Sequence, residues 1–308
     1  MGAIQQRLPK NRRAPEAVAG KRVTERGIEI IETVARYRFM LAHDIVRLVG
    51  GNEDVTHRHL QQLYHQDLVG RFTLPEPARH GEFIYFLDNP SGLRQLAEAS
   101  KLDAEKLPWD EIRQNREKYS QKESHSIGRF LFIQHELMIS AFHADLEVAA
   151  RSAAIAEIEH WVQGSPLWST VSDGRRRTLP HRPDAFFTLR FPNAPEGQQL
   201  SNFFYEADRN TCNLTRIRQK LEAHLLFFMQ GKHTELYGIR KVRAVLIETT
   251  SEQRAEQMRT VAKELAVHLP LAKMLFWFSS TKQNEHVSST DTPRWKAADD
   301  ERMRSLAD

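Results

Sequence analysis

The sequence predicts a two-domain protein of the α/β (α+β) class, and three observations predict it. Between Val23 and Leu87, three stretches with apolar residues at helical spacing precede two short aromatic-rich runs. From Ser126 onward the pattern switches repeatedly between the helical period and the strand period, in the order helix, strand, strand, strand, helix, strand, helix, strand. That order calls for a sheet flanked by helices rather than a helical bundle or a sandwich. The chain has 308 residues, 40% of them apolar, which is enough for two separate cores.

Composition narrows the class further. A net charge of +4 is only mildly basic, so nucleic-acid binding has to come from local patches. The single cysteine, Cys212, excludes an intramolecular disulfide and a cysteine-rich zinc module. It suits a reducing cytoplasm. No apolar run reaches membrane-spanning length, and the basic N-terminus has no apolar core after it, so the expected location is cytoplasmic, with no membrane partner.

The elements follow in order. Residues 1–22 carry Arg7, Lys10, Arg12, Arg13, Lys21 and Arg22 and read as a flexible basic arm. Residues 23–100 form the first domain. Thr24 caps a helix with Ile28, Ile31, Val34 and Ala35 on one face. A second helix, from Met40, places Ile45, Leu48 and Val49 inward and stops at Gly50-Gly51. A third, Asn52 to Asp67, has Val55, Leu60, Leu63 and Tyr64 on its apolar side and Thr56, His57, Arg58, Gln61 and Gln62 among its polar positions. Strands from Leu68 and from Glu82 surround a turn with Pro75, Pro77 and Gly81. Three helices and then a hairpin is the order of a winged helix-turn-helix. In that reading the third helix enters the major groove of double-stranded DNA, and Arg71, Arg79 and His80 on the wing meet the backbone. The same arrangement also serves as a dimerisation or protein-contact module.

Residues 101–125 are polar and charged and read as a linker. The second domain, 126–280, opens with a helix from Ser126 to Ser152 and a strand from Ala154 to Val162. Residues 164–182 are turn-rich and read as a loop. Strands at 184–191 and 200–208, a helix at 213–229, a strand at 242–249, a helix at 251–268 and a strand at 274–279 follow. Residues 281–308 read as a loose polar tail.

Within that second domain, acids sit on apolar strands. Phe204, Glu206 and Asp208 share one face of their strand, while Phe203, Tyr205 and Ala207 share the other. A neighbouring strand beginning at Asp184 would bring three carboxylates to one end of the sheet, where burial is costly unless they are paired or bind a hard cation such as magnesium. The alternative is that Asp184 caps the turn after Pro183 and Asp208 caps the next helix. On that helix Lys220 shares a stripe with Ile217, His224 and Phe227 at the flank of the core face, from which it is able to reach back to the strand end, either as a charge stabiliser or as a structural ion partner. No HExxH, CxxC or phosphate-loop signature is present.

Two resemblances rest on these residues. Pro183-Asp184 on one strand and Glu206-x-Asp208 on the next resemble the core of the PD-(D/E)xK nuclease superfamily. The resemblance implies that Asp184 and Glu206 hold a divalent metal, with magnesium as cofactor. Where the superfamily has a lysine two residues after the glutamate, this chain has Asp208, so the cation would have to come from Lys220. Such cores often add a glutamate from the first helix, for which Glu136 is the candidate. From Val23 to Ser279 the layout is also similar to the replication-relaxation family of plasmid and mobile-element proteins, through Arg182-Pro183-Asp184-Ala185, Glu206-Ala207-Asp208 and Lys220.

Two functions are therefore expected. One is a DNA-binding protein of a plasmid or mobile element acting in replication, DNA relaxation or conjugative transfer. Its nuclease-like domain would hydrolyse phosphodiesters through Asp184, Glu206, Asp208, Lys220 and Glu136, or would be degenerate. The other is a non-enzymatic winged-helix regulator whose second domain dimerises or recruits a relaxase or replication protein. In that case the carboxylates and Lys220 form an internal ion-pair network.

Overall fold

The computed structural model describes residues 12–73, 82–119, 127–153, 156–174, 177–281, 290 and 292–307. It is a mixed α/β chain with two compact units, Met1–Ala144 and Asp145–Asp308. No helix among the described residues is long and apolar enough to cross a membrane.

The first unit contains α1 (Glu25–Arg36), β1 (Met40–Leu41), α2 (Ala42–Val49), α3 (Glu53–His65), β2 (Gly70–Thr73), β3 (Phe83–Phe86), α4 (Pro90–Ala99), α5 (Trp109–Tyr119) and the start of α6 (Ile127–Ala153). Three helix starts are fixed by side chains that accept an otherwise orphaned backbone N–H: Thr24 from Gly27, Asn52 from Val55 and Asn89 from Gly92. α2 ends at Gly50, whose φ of 69° few other residues adopt. The strands form an antiparallel sheet in the order β1-β3-β2. Gly70 in β2 lies against the Phe86 ring, and a Cβ there would come within 2.5 Å of it, so the pairing of Gly70 with Phe86 requires glycine. Phe39, Leu41, Ile84, Phe86, Ile133 and Leu137 make the core, with Phe72, Tyr119 and Phe130 against it.

Two boundaries differ from the sequence reading. The end of the expected basic arm is anchored, because the Arg13 guanidinium bonds Asp67 at 2.6 Å and Asp88 at 3.1 Å, and the Ala14 N–H donates to His65 Nδ1. Residues 1–11 lie outside the described residues. The expected linker is largely folded: Leu102, Leu107 and Ile112 are buried, and Asn115 donates to the Leu87 carbonyl. A few well-spaced apolar residues suffice to dock an otherwise charged segment, so composition alone hid α5.

The second unit continues with β4 (Glu157–Gln163), β5 (Ser169–Ser172), β6 (Thr178–His181), β7 (Ala185–Arg190), β8 (Leu200–Asp208), α7 (Leu214–Met229), α8 (Lys232–Tyr237), β9 (Ala244–Thr249), α9 (Glu252–Ala266), α10 (Ala272–Leu275), β10 (Phe276–Ser280), β11 (Trp295–Ala297) and β12 (Met303–Arg304). Seven strands form one mixed sheet in the order β12-β11-β10-β9-β8-β7-β4. Its centre, β8-β9-β10, is parallel, and each crossover runs through a helix, α7 and then α9. On the face these helices cover, Phe204, Val245, Ile247, Phe276 and Phe278 pack against Leu221, Leu225, Met258 and Val261.

Two further regions are more ordered than their composition predicts. The turn-rich 164–182 region contains the hairpin β5–β6, whose Val171 and Leu179 are buried in the same core. Of the expected tail, the described residues 292–307 join the sheet, β11 pairing with β10 and Trp295, Ala297, Ala298 and Leu306 being buried, while 282–289 lie outside the described residues. One fully buried tryptophan supplies more apolar area than the surrounding polar sequence suggests.

Candidate functional site

β7 and β8 run antiparallel with Ala185 opposite Tyr205, so the register places Asp184 beside Glu206 at the end of the sheet where β8 and β9 finish. The Asp184 N–H donates to the Tyr205 carbonyl at 3.2 Å, and Asp184 Oδ2 accepts the Ala207 N–H at 2.8 Å. α7, capped by Asn213, then crosses the sheet and aims two residues one turn apart, Lys220 and His224, at these acids. Lys220 Nζ lies 3.7 Å from Asp184 Oδ2 and forms an ion pair with Glu206 Oε2. The structure thus brings Asp184, Glu206 and Lys220 together.

The other oxygen of Glu206 is also engaged. His224 Nε2 lies 2.6 Å from Oε1, His181 Nε2 lies 3.0 Å from His224 Nδ1, and Ser169 Oγ lies 3.3 Å from His181 Nδ1. The His181 ring is stacked on Phe227 at 3.9 Å. Burial pushes His224 down to about 3, aided by the Lys220 charge, and pushes His181 down to about 2, aided by His224 and Lys220. Both rings are neutral. Where Glu206 is ionised, a neutral His224 donates to it from Nε2 and accepts at Nδ1, so His181 donates from Nε2 and the Ser169 hydroxyl donates to His181 Nδ1.

Burial pushes Glu206 up to about 8, with Lys220 opposing and Asp184 reinforcing the rise. For Lys220, burial would lower the ammonium, but Asp184 and Glu206 together outweigh it and hold it above its ordinary value. Glu206 and Lys220 therefore titrate as a coupled pair.

The remaining acids point elsewhere. Asp208 is buried and engaged by Arg254 of α9, Nε to Oδ2 at 3.0 Å, with the Thr249 hydroxyl at 2.9 Å. It does not cap α7, since Asn213 does. Glu136 belongs to the first unit, where Arg38 Nη1 holds it at 2.8 Å. Arg38 Nε also reaches Glu111 at 2.9 Å, and burial pushes Glu111 up to about 7 against the pull of Arg38.

A divalent cation does not fit this arrangement. Among the described residues no three His, Cys, Asp or Glu side chains are grouped to hold a metal. The Lys220 ammonium already faces both acids, and Glu206 has one oxygen on Lys220 and the other on His224. A hard cation needs about six oxygen ligands, several of them open to exchange with water.

The expected DNA-contact residues separate. His57 and Arg58 are exposed on α3 and Gln61 is half-buried. Gln62 donates to the Arg22 carbonyl at 3.3 Å. Thr56 is fully buried, its hydroxyl between the Asn52 carbonyl and Arg26, so it packs α3 and presents nothing to a ligand. Arg71 is half-buried, with its guanidinium 3.9 Å from the Tyr64 ring and 4.1 Å from the Phe83 ring. Arg79 and His80 lie outside the described residues. The sequence reading missed Arg254, His181 and the role of His224. A signal for His224 existed, because it follows Lys220 by one helical turn on the stripe that faces an acidic strand.

The replication-relaxation family profile matches residues 31–242, which is more than half of the chain and includes Asp184, Glu206, Lys220 and His224. The chain belongs to the replication-relaxation family. No curated protein and no solved structure matches it. The family match begins within α1 and ends just before β9, so Arg254 and the strands β9 to β12 lie beyond the part that defines this replication-relaxation protein. Family membership points to a protein of plasmid replication.

Proposed function

We propose that this replication-relaxation protein is a DNA-binding protein of a plasmid or mobile element that works in replication, DNA relaxation or conjugative transfer. In this reading the first unit is a winged helix-turn-helix, and α3 enters the major groove of duplex DNA. The carrying observation is α3 itself: Leu60, Leu63 and Tyr64 are buried against its own unit, while His57, Arg58 and Gln61 remain on the open side. Arg and Gln side chains so placed match the acceptors and donors of base edges. The β2–β3 hairpin that follows α3, joined by β1 from between α1 and α2, supports the same reading. In the same reading the second unit is a degenerate nuclease-like domain whose charged centre is neutralised internally, and it serves by holding a relaxase or replication protein rather than by cleaving.

The test uses the full chain. Fluorescence anisotropy with a labelled fragment of supercoil-derived plasmid duplex should show Arg58→Ala and Gln61→Ala each weakening binding by roughly 5- to 150-fold, as expected for loss of a base contact. Unchanged affinity in both variants would refute the placement of α3.

A second reading, metal-dependent nicking, is favoured by one observation, the convergence of Asp184, Glu206 and Lys220 at the sheet end. It requires magnesium-dependent nicking of supercoiled plasmid that Asp184→Ala or Glu206→Ala abolishes while DNA binding persists. It also requires magnesium to raise the melting temperature of the wild type but not of Asp184→Ala. The internally paired centre favours the opposite result on both counts.

A further inference from the structure

At the end of the sheet away from Asp184 and Glu206, where β8 and β9 begin, an open groove of about 940 Å³ lies between the β7–β8 loop, the segment before β9 and the α9–β10 connection. Its size is at the top of the range of about 300–1,000 Å³ seen for ligand pockets. Arg240, Lys241, Arg243 and His233 line it, and no acidic residue does. The first three are exposed, and none has an ion pair among the described residues. By contrast, Arg177, Arg190 and Arg218 of the same unit each hold a glutamate. The positions are held rigidly by the backbone: the Arg243 N–H donates to the Asn202 carbonyl at 2.8 Å, and Asn202 Nδ2 donates to the Lys241 carbonyl at 2.9 Å. His233, packed against the Phe228 ring, leaves its buried Nδ1 without a hydrogen-bond partner.

We propose that this groove binds single-stranded nucleic acid. Exposed cations with no ion-pair partner among the described residues attract a phosphate backbone, Arg243 from its place 5.9 Å from the Trp277 ring, because each contact releases condensed counterions. Phe191 and the half-buried Phe228, whose ring packs on Phe204, Phe227 and His233, line the groove as apolar contacts for bases, and Asn193 and Gln198 offer donors and acceptors for base or sugar edges. Bases inside a duplex are stacked on one another and do not reach such rings, so the ligand is an unpaired strand. An acidic protein segment shares the charge complementarity but has no use for the rings and amides. The inference rests on the DNA-binding reading only in that nucleic acid is the protein's ligand, and it assigns the contact to a different unit from α3.

The experiment uses the full chain and a fluorescein-labelled oligo(dT), with anisotropy read between 50 and 200 mM KCl. Each phosphate contact on a single strand contributes about 0.7 to the slope of log affinity against log salt, so the triple variant Arg240→Ala/Lys241→Ala/Arg243→Ala should lose about two units of slope. Over that salt range the wild type should then lose roughly 16-fold more affinity than the variant. Duplex binding by the triple variant should stay at the wild-type level, and Arg58→Ala should leave oligo(dT) binding intact, which separates failure of this site from failure of the α3 reading. A bromodeoxyuridine-substituted oligonucleotide should crosslink to the peptides containing Phe191 or Phe228. Equal salt slopes for the triple variant and the wild type overturn the proposal. So does displacement of oligo(dT) by poly-glutamate at equal charge concentration, which would assign the groove to an acidic protein partner. All three side chains are exposed, and an unchanged thermal melt confirms that the variant is folded.

Discussion

Replacing Lys220 by methionine keeps the apolar stem and removes the charge that faces two carboxylates. Breaking a well-buried ion pair by removing one partner costs about 3–5 kcal/mol, because the other charge is left in a poorly solvated place. Glu206 is 3% exposed, but the Lys220 side chain is 37% exposed, so water can take up part of the lost interaction. The expected loss, read above about pH 8 where Glu206 carries its charge, is therefore smaller, on the order of 2 kcal/mol. For a unit of this size that corresponds to a fall in melting temperature of about 4–8 °C. Chemical denaturation followed by tryptophan fluorescence measures it, since Trp161, Trp168, Trp277 and Trp295 all lie in the second unit. The double variant Lys220→Met/Glu206→Gln supplies the decisive comparison. Its amide still accepts from His224 and carries no charge, so most of the lost stability should return. A single variant within about 0.5 kcal/mol of the wild type, or a double variant no more stable than Lys220→Met, would show that the centre is not held by this pair.

Four other outcomes follow from the same structure. Because burial raises Glu206 to about 8 in the folded chain, the folded state keeps a proton that the unfolded chain loses near its ordinary carboxylate value. Stability of the second unit should thus fall as pH rises between those two values, and Glu206→Gln should flatten that slope in pH-dependent urea melts. In the first unit, hydrogen bonds to Asp44 and Glu82 raise His43 to about 10, so its contribution is complete below its ordinary value and is lost as pH rises through about 10. His43→Gln should remove that dependence. Arg254→Ala leaves Asp208 buried and unpaired and should cost about 3–5 kcal/mol, with Asp208→Asn restoring part of it in a denaturation cycle. Trp295→Ala should cost about 3–5 kcal/mol, and a chain ending before β11 should melt less cooperatively in calorimetry, because β11 covers the edge of β10.

What the sequence made legible was whatever strong periodicity or a cap announced. β8 spans Leu200–Asp208, as its alternation of Phe204, Glu206 and Asp208 against Phe203, Tyr205 and Ala207 indicates, and α7 and α9 begin where the helical period sets in, after Asn213 and Ser251. The approach of Lys220 to Asp184 and Glu206 was legible for the same reason, since strand parity and helix phase together fix which side chains share a face. Partners set by tertiary packing were not legible. Arg254 meets Asp208 only because β9 lies parallel to β8 and returns through α9, a pairing no local pattern encodes. Thr56 reads as polar and exposed on α3, yet its γ-methyl and hydroxyl serve packing against Arg26 and Asn52. Short edge elements such as β1, β5, β6, β11 and β12 fall below the length at which alternation is distinguishable from chance.

The placement of Lys220 also bears on why the centre does not resemble a cation cage. A lysine on the strand, two residues after Glu206, would project beside the acids and leave the space between them open; that position is Asp208, which turns to Arg254. The amine instead arrives from above, on α7, and its own helix brings His224 to the second oxygen of Glu206. The two contacts are geometrically linked, because residues four apart on a helix move together. Any shift of α7 that withdrew Lys220 to admit another cation would also strip Glu206 of the His224 hydrogen bond and break the contact between His224 and His181. Losing a hydrogen bond to a buried charged group costs about 1.5–3 kcal/mol, and the ion pair is lost with it. The helix thus locks the acids in their paired state, which is why the removal of charge at Lys220 and at Glu206 must be tested together rather than singly.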